Sequence, residues 1–202
     1  MDRTSRPYKK TSIGWFDSPP IRNTFADLLQ PLADHDSPRL LEIGCWEGVS
    51  ACSFLDLTGE NSTIVCVDPF TGSKEHNSPT HLEQFFDYNV NLAGYSDRVE
   101  KIRSESSKAL PILAARCQQG ERRFDFAYID GSHIASDVLF DAVLVHQIVA
   151  GGGLIVFDDY LWTDLPDLLD RPKIAIDAYL SIYAREVEVI HQDFRVFLRK
   201  SI

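Results

Sequence analysis

Positive charge is in short supply in this chain. Its 202 residues carry 20 lysines and arginines against 30 aspartates and glutamates, a formal net charge of −10. That balance weighs against a nucleic-acid partner held by phosphate neutralisation, and it suits a small neutral or cationic ligand. Long apolar runs are missing as well, so no segment has the length of a membrane span. The polar opening Met1-Asp2-Arg3-Thr4-Ser5-Arg6 is not followed by an apolar signal region, which predicts a cytoplasmic protein with no membrane partner. The four cysteines, Cys45, Cys52, Cys66 and Cys117, include no C-x-x-C pair and read as small buried apolar residues rather than a disulfide framework or zinc site. Neither a G-x-G-x-x-G turn nor a lysine-bearing phosphate loop is present, which argues against a hydride-transfer dinucleotide site and a P-loop.

What is present suffices for one core. With 44% apolar residues, a chain of this length buries one sizeable core and not two. A single domain is expected over residues 15–202, behind a polar, basic and flexible arm at 1–14. Ser18-Pro19-Pro20 reads as a helix start, and Ile21, Phe25, Leu28, Leu29 and Leu32 supply its apolar stripe. Strands are expected near 39–44, 62–67, 98–102, 124–129 and 153–157, alternating with helices near 48–56, 80–93, 107–117 and 136–149. Such alternation demands a doubly wound, mostly parallel sheet with right-handed crossovers. After a helix near 172–184, Glu186 to Ile190 and Phe194 to Leu198 form a hairpin about His191-Gln192-Asp193, so the last strand runs antiparallel.

The most informative run is Leu40-Leu41-Glu42-Ile43-Gly44-Cys45-Trp46-Glu47-Gly48, followed by Ile64-Val65-Cys66-Val67-Asp68. It reads as two buried strands joined by a glycine turn and a helix. Gly44 can take backbone angles closed to other residues, and Gly48 lets a helix start lie close to a ligand. Asp68, 26 residues after Glu42, is placed to accept from ribose hydroxyls. Acidic strand ends suit a cationic sulfonium nucleoside better than a pyrophosphate.

Asp68, Asp130 and the pair Asp158-Asp159 all fall at carboxyl ends of expected parallel strands and so share one rim. Carboxylates meeting there without matching lysines or arginines would repel one another, and a hard divalent cation, Mg2+, is the natural remedy. Asp158 and Asp159 could instead cap strand-end amides. His133, three residues beyond Asp130, is close enough to act as general base, or it could simply start a helix facing solvent. Trp46 could stack on a cofactor or pack beneath the first helix. The loop from Phe70 to about Pro79 could fold over a substrate, with Tyr160, Trp162 and the segment to Pro172 as the opposite wall. His76, His81, His146 and His191 read as surface or satisfied histidines.

Glu42 to Gly48 and Val67-Asp68-Pro69-Phe70 resemble the cofactor motifs of class I S-adenosylmethionine-dependent methyltransferases. Tyr128-Ile129-Asp130-Gly131-Ser132-His133 and Gly151-Gly152-Gly153-Leu154-Ile155-Val156-Phe157-Asp158-Asp159-Tyr160 resemble the small O-methyltransferases related to macrolide-sugar and aminocoumarin-sugar enzymes. The resemblance runs from about Pro38 to the C-terminus. It implies a seven-stranded α/β sheet with one antiparallel C-terminal strand and S-adenosyl-L-methionine held by Glu42, Gly44, Trp46, Gly48, Asp68, Pro69, Ser106 and Asp130. It further implies a metal on Asp130, Asp158 and Asp159, and His133 with Asp130 as the catalytic pair. Ser104-Glu105-Ser106 stands where relatives carry a glycine-x-serine turn at the adenine; the glycine is missing here. The implied activity is methyl transfer to a hydroxyl of a small metabolite, with a sugar favoured by His133. The alternatives are a metal-independent methyltransferase of the same fold and a cofactor-binding protein without turnover. Relatives often assemble, so a homo-oligomer fits the resemblance, while the acceptor stays open.

Overall fold

Side chains that alternate along a strand must choose a face, and here both faces are apolar. The computed structural model describes residues 7–10, 19–72 and 80–202. In β1 (Arg39–Ile43), Leu40 turns one way and Leu41 and Ile43 the other. β2 (Thr63–Asp68) sets Ile64 and Cys66 against Val65 and Val67, and β4 (Phe124–Ile129) sets Phe126 and Tyr128 against Ala127 and Ile129. Burial on both sides is what parallel strands require. With β3 (Val99–Arg103), β5 (Val149–Phe157), β6 (Val187–Gln192) and β7 (Val196–Lys200) they form a seven-stranded sheet ordered β3-β2-β1-β4-β5-β7-β6. β7 pairs antiparallel with both β5 and β6, as the hairpin predicts, and the other neighbours are parallel.

Three helices cover each face. α1 (Pro19–Ala33), α2 (Val49–Leu57) and α3 (Leu82–Ala93) contribute Phe25, Phe54 and Phe86 to one core layer. α4 (Ser106–Gln118), α5 (Ala135–Ile148) and α6 (Pro172–Ile182) contribute Leu110, Val145 and Tyr179 to the other. From β1 the chain winds outward to β3, then returns through α4 to β4 on β1's other side. That reversal leaves a crevice at the tips of β1 and β4, where ligands of open α/β sheets bind.

Gly44 makes the crevice floor possible. Its φ is 82°, and a Cβ there would lie 1.9 Å from the Asp130 carbonyl oxygen. The same backbone is stitched by Gly44 N–H to Val67 O and Asp130 N–H to Ile43 O, both at 2.9 Å.

Several boundaries differ from the sequence reading, β7 among them at Val196–Lys200 rather than 194–198. β5 begins at Val149 rather than near 153, because Gly151, Gly152 and Gly153 carry no side chains to signal alternation. β6 runs on to Gln192, since a register shift between Val189 and His191 carries the strand past the expected turn, and the turn is closed by Asp193 and Arg195. Within the expected arm, residues 7–10 lie on α3: Lys9 N–H donates to Asn89 Oδ1 at 2.7 Å, and Asn89 Nδ2 donates to the carbonyls of Lys9 and Glu47 at 2.8 Å. The remainder of that arm, the expected start of order at Trp15, His76 and most of the loop to Pro79 lie outside the described residues. Among the described residues no helix is long and apolar enough to cross a membrane.

Candidate active site

The β1 and β2 tips carry two buried acids. Glu42 is fully buried, accepts a hydrogen bond from the Ser50 hydroxyl, and has Cys66 Sγ 3.9 Å from its other oxygen. Burial, reinforced by the Asp68 charge, raises its carboxyl to about 8 against the bond from Ser50. Asp68 is aimed back at the turns. Its Oδ2 accepts from the amides of Cys45 (2.8 Å) and Trp46 (2.9 Å), and Oδ1 accepts from Phe70 N–H (2.6 Å). Those bonds restrain a carboxyl that burial pushes up. Trp46 (φ 46°), Phe70 (φ 55°) and Asp159 (φ 58°) are non-glycine residues in the left-handed region, and all three follow strand tips on this rim. Backbone strain of that sort clusters at functional sites.

The β4 and β5 tips supply the other half. Asp130, partly buried, is pushed well above the usual carboxylate range by burial and by the charges of Asp158, Asp159 and Glu42, with Arg195 opposing. His133 Nε2 lies 2.9 Å from Asp159 Oδ2, and its ring centroid is 4.5 Å from that of Trp162. Ligand atoms of Asp130, His133 and Asp159 all lie within 4.8 Å of one another. Asp158 takes a different part. It accepts from the Tyr128 hydroxyl and from Asp159 N–H (2.8 Å), and pairs with Arg195 Nε at 3.1 Å. Burial raises its carboxyl, and Arg195 is the main force holding it down. All four residues line one cleft with Gly131 and Ser132, of about 10 Å³, room for one water-sized group.

The family match comes from sequence: the methyltransferase-domain family covers residues 41–160. The chain belongs to that family.

Among curated relatives, a caffeoyl-CoA O-methyltransferase of Populus kitakamiensis is 27% identical over 81% of this chain and 63% of its own length. The chain spans less than two thirds of the length of the curated relatives it matches. Among solved structures, the O-methyltransferase from Bacillus cereus in complex with SAH superposes with a TM-score of 0.66, at 18% identity over 91% of this chain and 82% of that one. The methyltransferase MycE of mycinamycin biosynthesis, in complex with Mg, SAH and mycinamycin VI, gives 0.60 at 21% identity over 93% of this chain and 50% of that one. The sheet is therefore that of class I S-adenosylmethionine-dependent methyltransferases.

Within this methyltransferase fold, several site residues stand differently from their sequence reading. Of the expected metal set Asp130, Asp158 and Asp159, the structure brings ligand atoms of Asp130 and Asp159 together with His133, while Asp158 is engaged by Tyr128 and Arg195. The premise that no cation meets these carboxylates is corrected by Arg195. The room beside Gly48 (φ 74°) is taken by Phe86, whose ring carbon would lie 2.8 Å from a Cβ there. Ser106 opens α4, and its hydroxyl bonds the buried Asp141, whose carboxyl is raised to about 7 chiefly by burial. Glu105 is exposed and pairs with Lys108. Pro69 is half-buried between Asp68 and Phe70. Cys45, Cys52 and Cys66 are buried, as expected, while Cys117 is half-buried. His146 is satisfied by Tyr179 and Glu186. Sequence reading missed Tyr128, Asp141 and Arg195. For Arg195 a signal existed: buried carboxylates require a counter-charge, and this arginine immediately precedes the strand that pairs with β5.

Proposed function

We propose that the protein is an S-adenosyl-L-methionine-dependent O-methyltransferase acting on a hydroxyl of a small metabolite, with His133 as general base and a divalent cation beside it. The observation that carries this reading is the imidazole–carboxylate pair of His133 and Asp159 at the β4 and β5 tips, across the crevice from Glu42. The acidic rim fits a cationic cofactor, which when bound supplies the methyl group. Glu42, Gly44, Trp46, Asp68 and Asp130 would line the path for it; Asp68 would act by holding the amides of the turn after Gly44, and Ser106 would stand at the adenine end. The carboxylates of Asp130 and Asp159, with one nearby arginine committed to Asp158, make a hard-donor set that fits a divalent ion such as Mg2+. Asp130 and Asp159 would hold it, and it would lower the pKa of a bound hydroxyl. The acceptor hydroxyl gives its proton to the His133 ring nitrogen turned away from Asp159, while Nε2–H donates to the Asp159 carboxylate, which steadies the imidazolium. Trp162, whose ring lies tilted against that of His133 at 4.5 Å, restrains the imidazole and shields that side from water.

A second reading, metal-independent transfer, draws on the same pair: at 2.9 Å, Asp159 orients His133 as a base without help. The test is single-turnover methylation of catechol and sugar acceptors with radiolabelled cofactor, before and after chelation. His133→Asn should lower kcat about 10²–10⁴-fold with cofactor affinity intact. Loss of activity on chelation, restored by Mg2+, supports the metal; full activity after chelation supports the second reading. Wild-type activity in His133→Asn would remove the base.

A further inference from the structure

The catalytic cleft holds little more than one water, so the bulk of any acceptor must lie elsewhere. Beyond Trp162 opens a groove with a cavity volume of about 260 Å³. It neighbours the cleft along the chain: Asp159 lines the cleft and Tyr160 the groove, and Pro172 lines the cleft and Arg171 the groove. Trp162 links the two, because its ring lies 4.5 Å from that of His133, which lines the cleft, and it also lines the groove. The groove's apolar lining is exposed, with Leu161 at 49%, Leu168 at 67% and Ile174 at 41%. Apolar surface left open beside a reaction centre is surface that a ligand covers.

The charges at the groove are largely spoken for. Lys173 Nζ pairs with Asp177 at 2.7 Å and donates to the Tyr160 hydroxyl at 2.5 Å. Arg171 Nε donates to the Leu165 carbonyl at 2.8 Å. We propose that the groove between residues 160–163 and α6 takes an apolar body of the acceptor, an aryl or alkyl group attached to the hydroxyl-bearing ring, so that the substrate class is an amphipathic hydroxylated metabolite. This rests on the O-methyltransferase reading for the hydroxyl and on the groove alone for the apolar group.

The test pairs binding with turnover on the full chain. Catechol, 4-phenylcatechol and catechol-4-sulfonate, with methyl and phenyl β-glucoside, are titrated into protein loaded with S-adenosylhomocysteine, then assayed with S-adenosylmethionine. In at least one ring series the phenyl member should bind about tenfold more tightly than its smaller partner. Leu168→Asp and Ile174→Asp, both at exposed positions, should bring that ratio near one while leaving S-adenosylhomocysteine affinity unchanged. Phenyl selectivity within about twofold of unity in both series, including no binding by any ligand, overturns the proposal, as does an undiminished ratio in both variants. Tighter binding of the sulfonate than of 4-phenylcatechol overturns it in favour of recognition by Arg171. A wild-type dimer that Leu168→Asp dissociates overturns it in favour of a second copy. Selective binding without methyl transfer to any acceptor upholds the groove and sinks the O-methyltransferase reading instead.

Discussion

Glu42 ends β1 out of contact with water, and a carboxyl raised to about 8 keeps its proton at neutral pH. In the unfolded chain the same group ionises near 4.5. Between those values the native state binds a proton that the unfolded state has lost, so this residue's contribution to stability falls as pH rises through the window. Glu42→Gln, which retains an acceptor for Ser50, should therefore raise the thermal midpoint at pH 9 by about 4 °C or more and leave it nearly unchanged at pH 4.5. Equal shifts at both pH values would show that packing, not charge, is responsible. A cofactor ammonium docking beside Glu42 would favour the carboxylate. Binding of S-adenosylhomocysteine at pH 7 should then release a proton, seen in calorimetry as a dependence of heat on buffer ionisation enthalpy. Glu42→Gln should abolish that release.

The turn after β1 and the β6–β7 hairpin show what an element adds to its residues. Gly44 needs both a positive φ and the absence of a Cβ, because backbone atoms of Asp130 and Gly131 fill that space. Gly120 also has a positive φ, of 102°, but nothing lies within 4 Å of its Cβ position. Gly44→Ala should cost about 3 kcal/mol or more in urea unfolding and impair cofactor binding, whereas Gly120→Ala should cost about 1 kcal/mol. Similar midpoints for the two would mean the turn relaxes. The hairpin carries Arg195 to Asp158, so Arg195→Met leaves a buried carboxylate uncompensated and should cost roughly 3–5 kcal/mol. Asp158→Asn added to Arg195→Met should recover part of that loss, because the two side chains form one unit. Strand alternation and the glycine turn were legible in the sequence because period and backbone sterics are local. The acids at strand ends were legible too, since ends of parallel strands share a rim. The pairing of Asp158 with Arg195, 37 positions apart in sequence, was not. It depends on β7 lying beside β5 and on an aspartate choosing between a tyrosine, an arginine and an ion. Phe86 filling the space at Gly48 was hidden for the same reason: α3 meets α2 only through tertiary packing.

Over the whole molecule the net charge of −10 would act on an asymmetry of the proposed methyl transfer. The methyl donor carries a sulfonium charge that its demethylated product lacks, while the two share their remaining groups. An acidic protein with Glu42, Asp68 and Asp130 at one rim should therefore favour donor over product, through its summed field and through contacts in which the bound cation draws the proton from Glu42. The two contributions separate with salt, because screening length falls from about 30 Å at 0.01 M to about 10 Å at 0.1 M, whereas buried carboxylates beside the ligand are screened little. Raising NaCl from about 20 mM to about 500 mM should weaken donor binding roughly threefold or more and product binding less, so the affinity ratio narrows without inverting. Parallel calorimetric titrations of S-adenosylmethionine and S-adenosylhomocysteine across that range read the ratio directly. A ratio that stays constant would show that discrimination comes from the rim carboxylates alone, and an inverted one would show that the buried acids do not face the sulfonium.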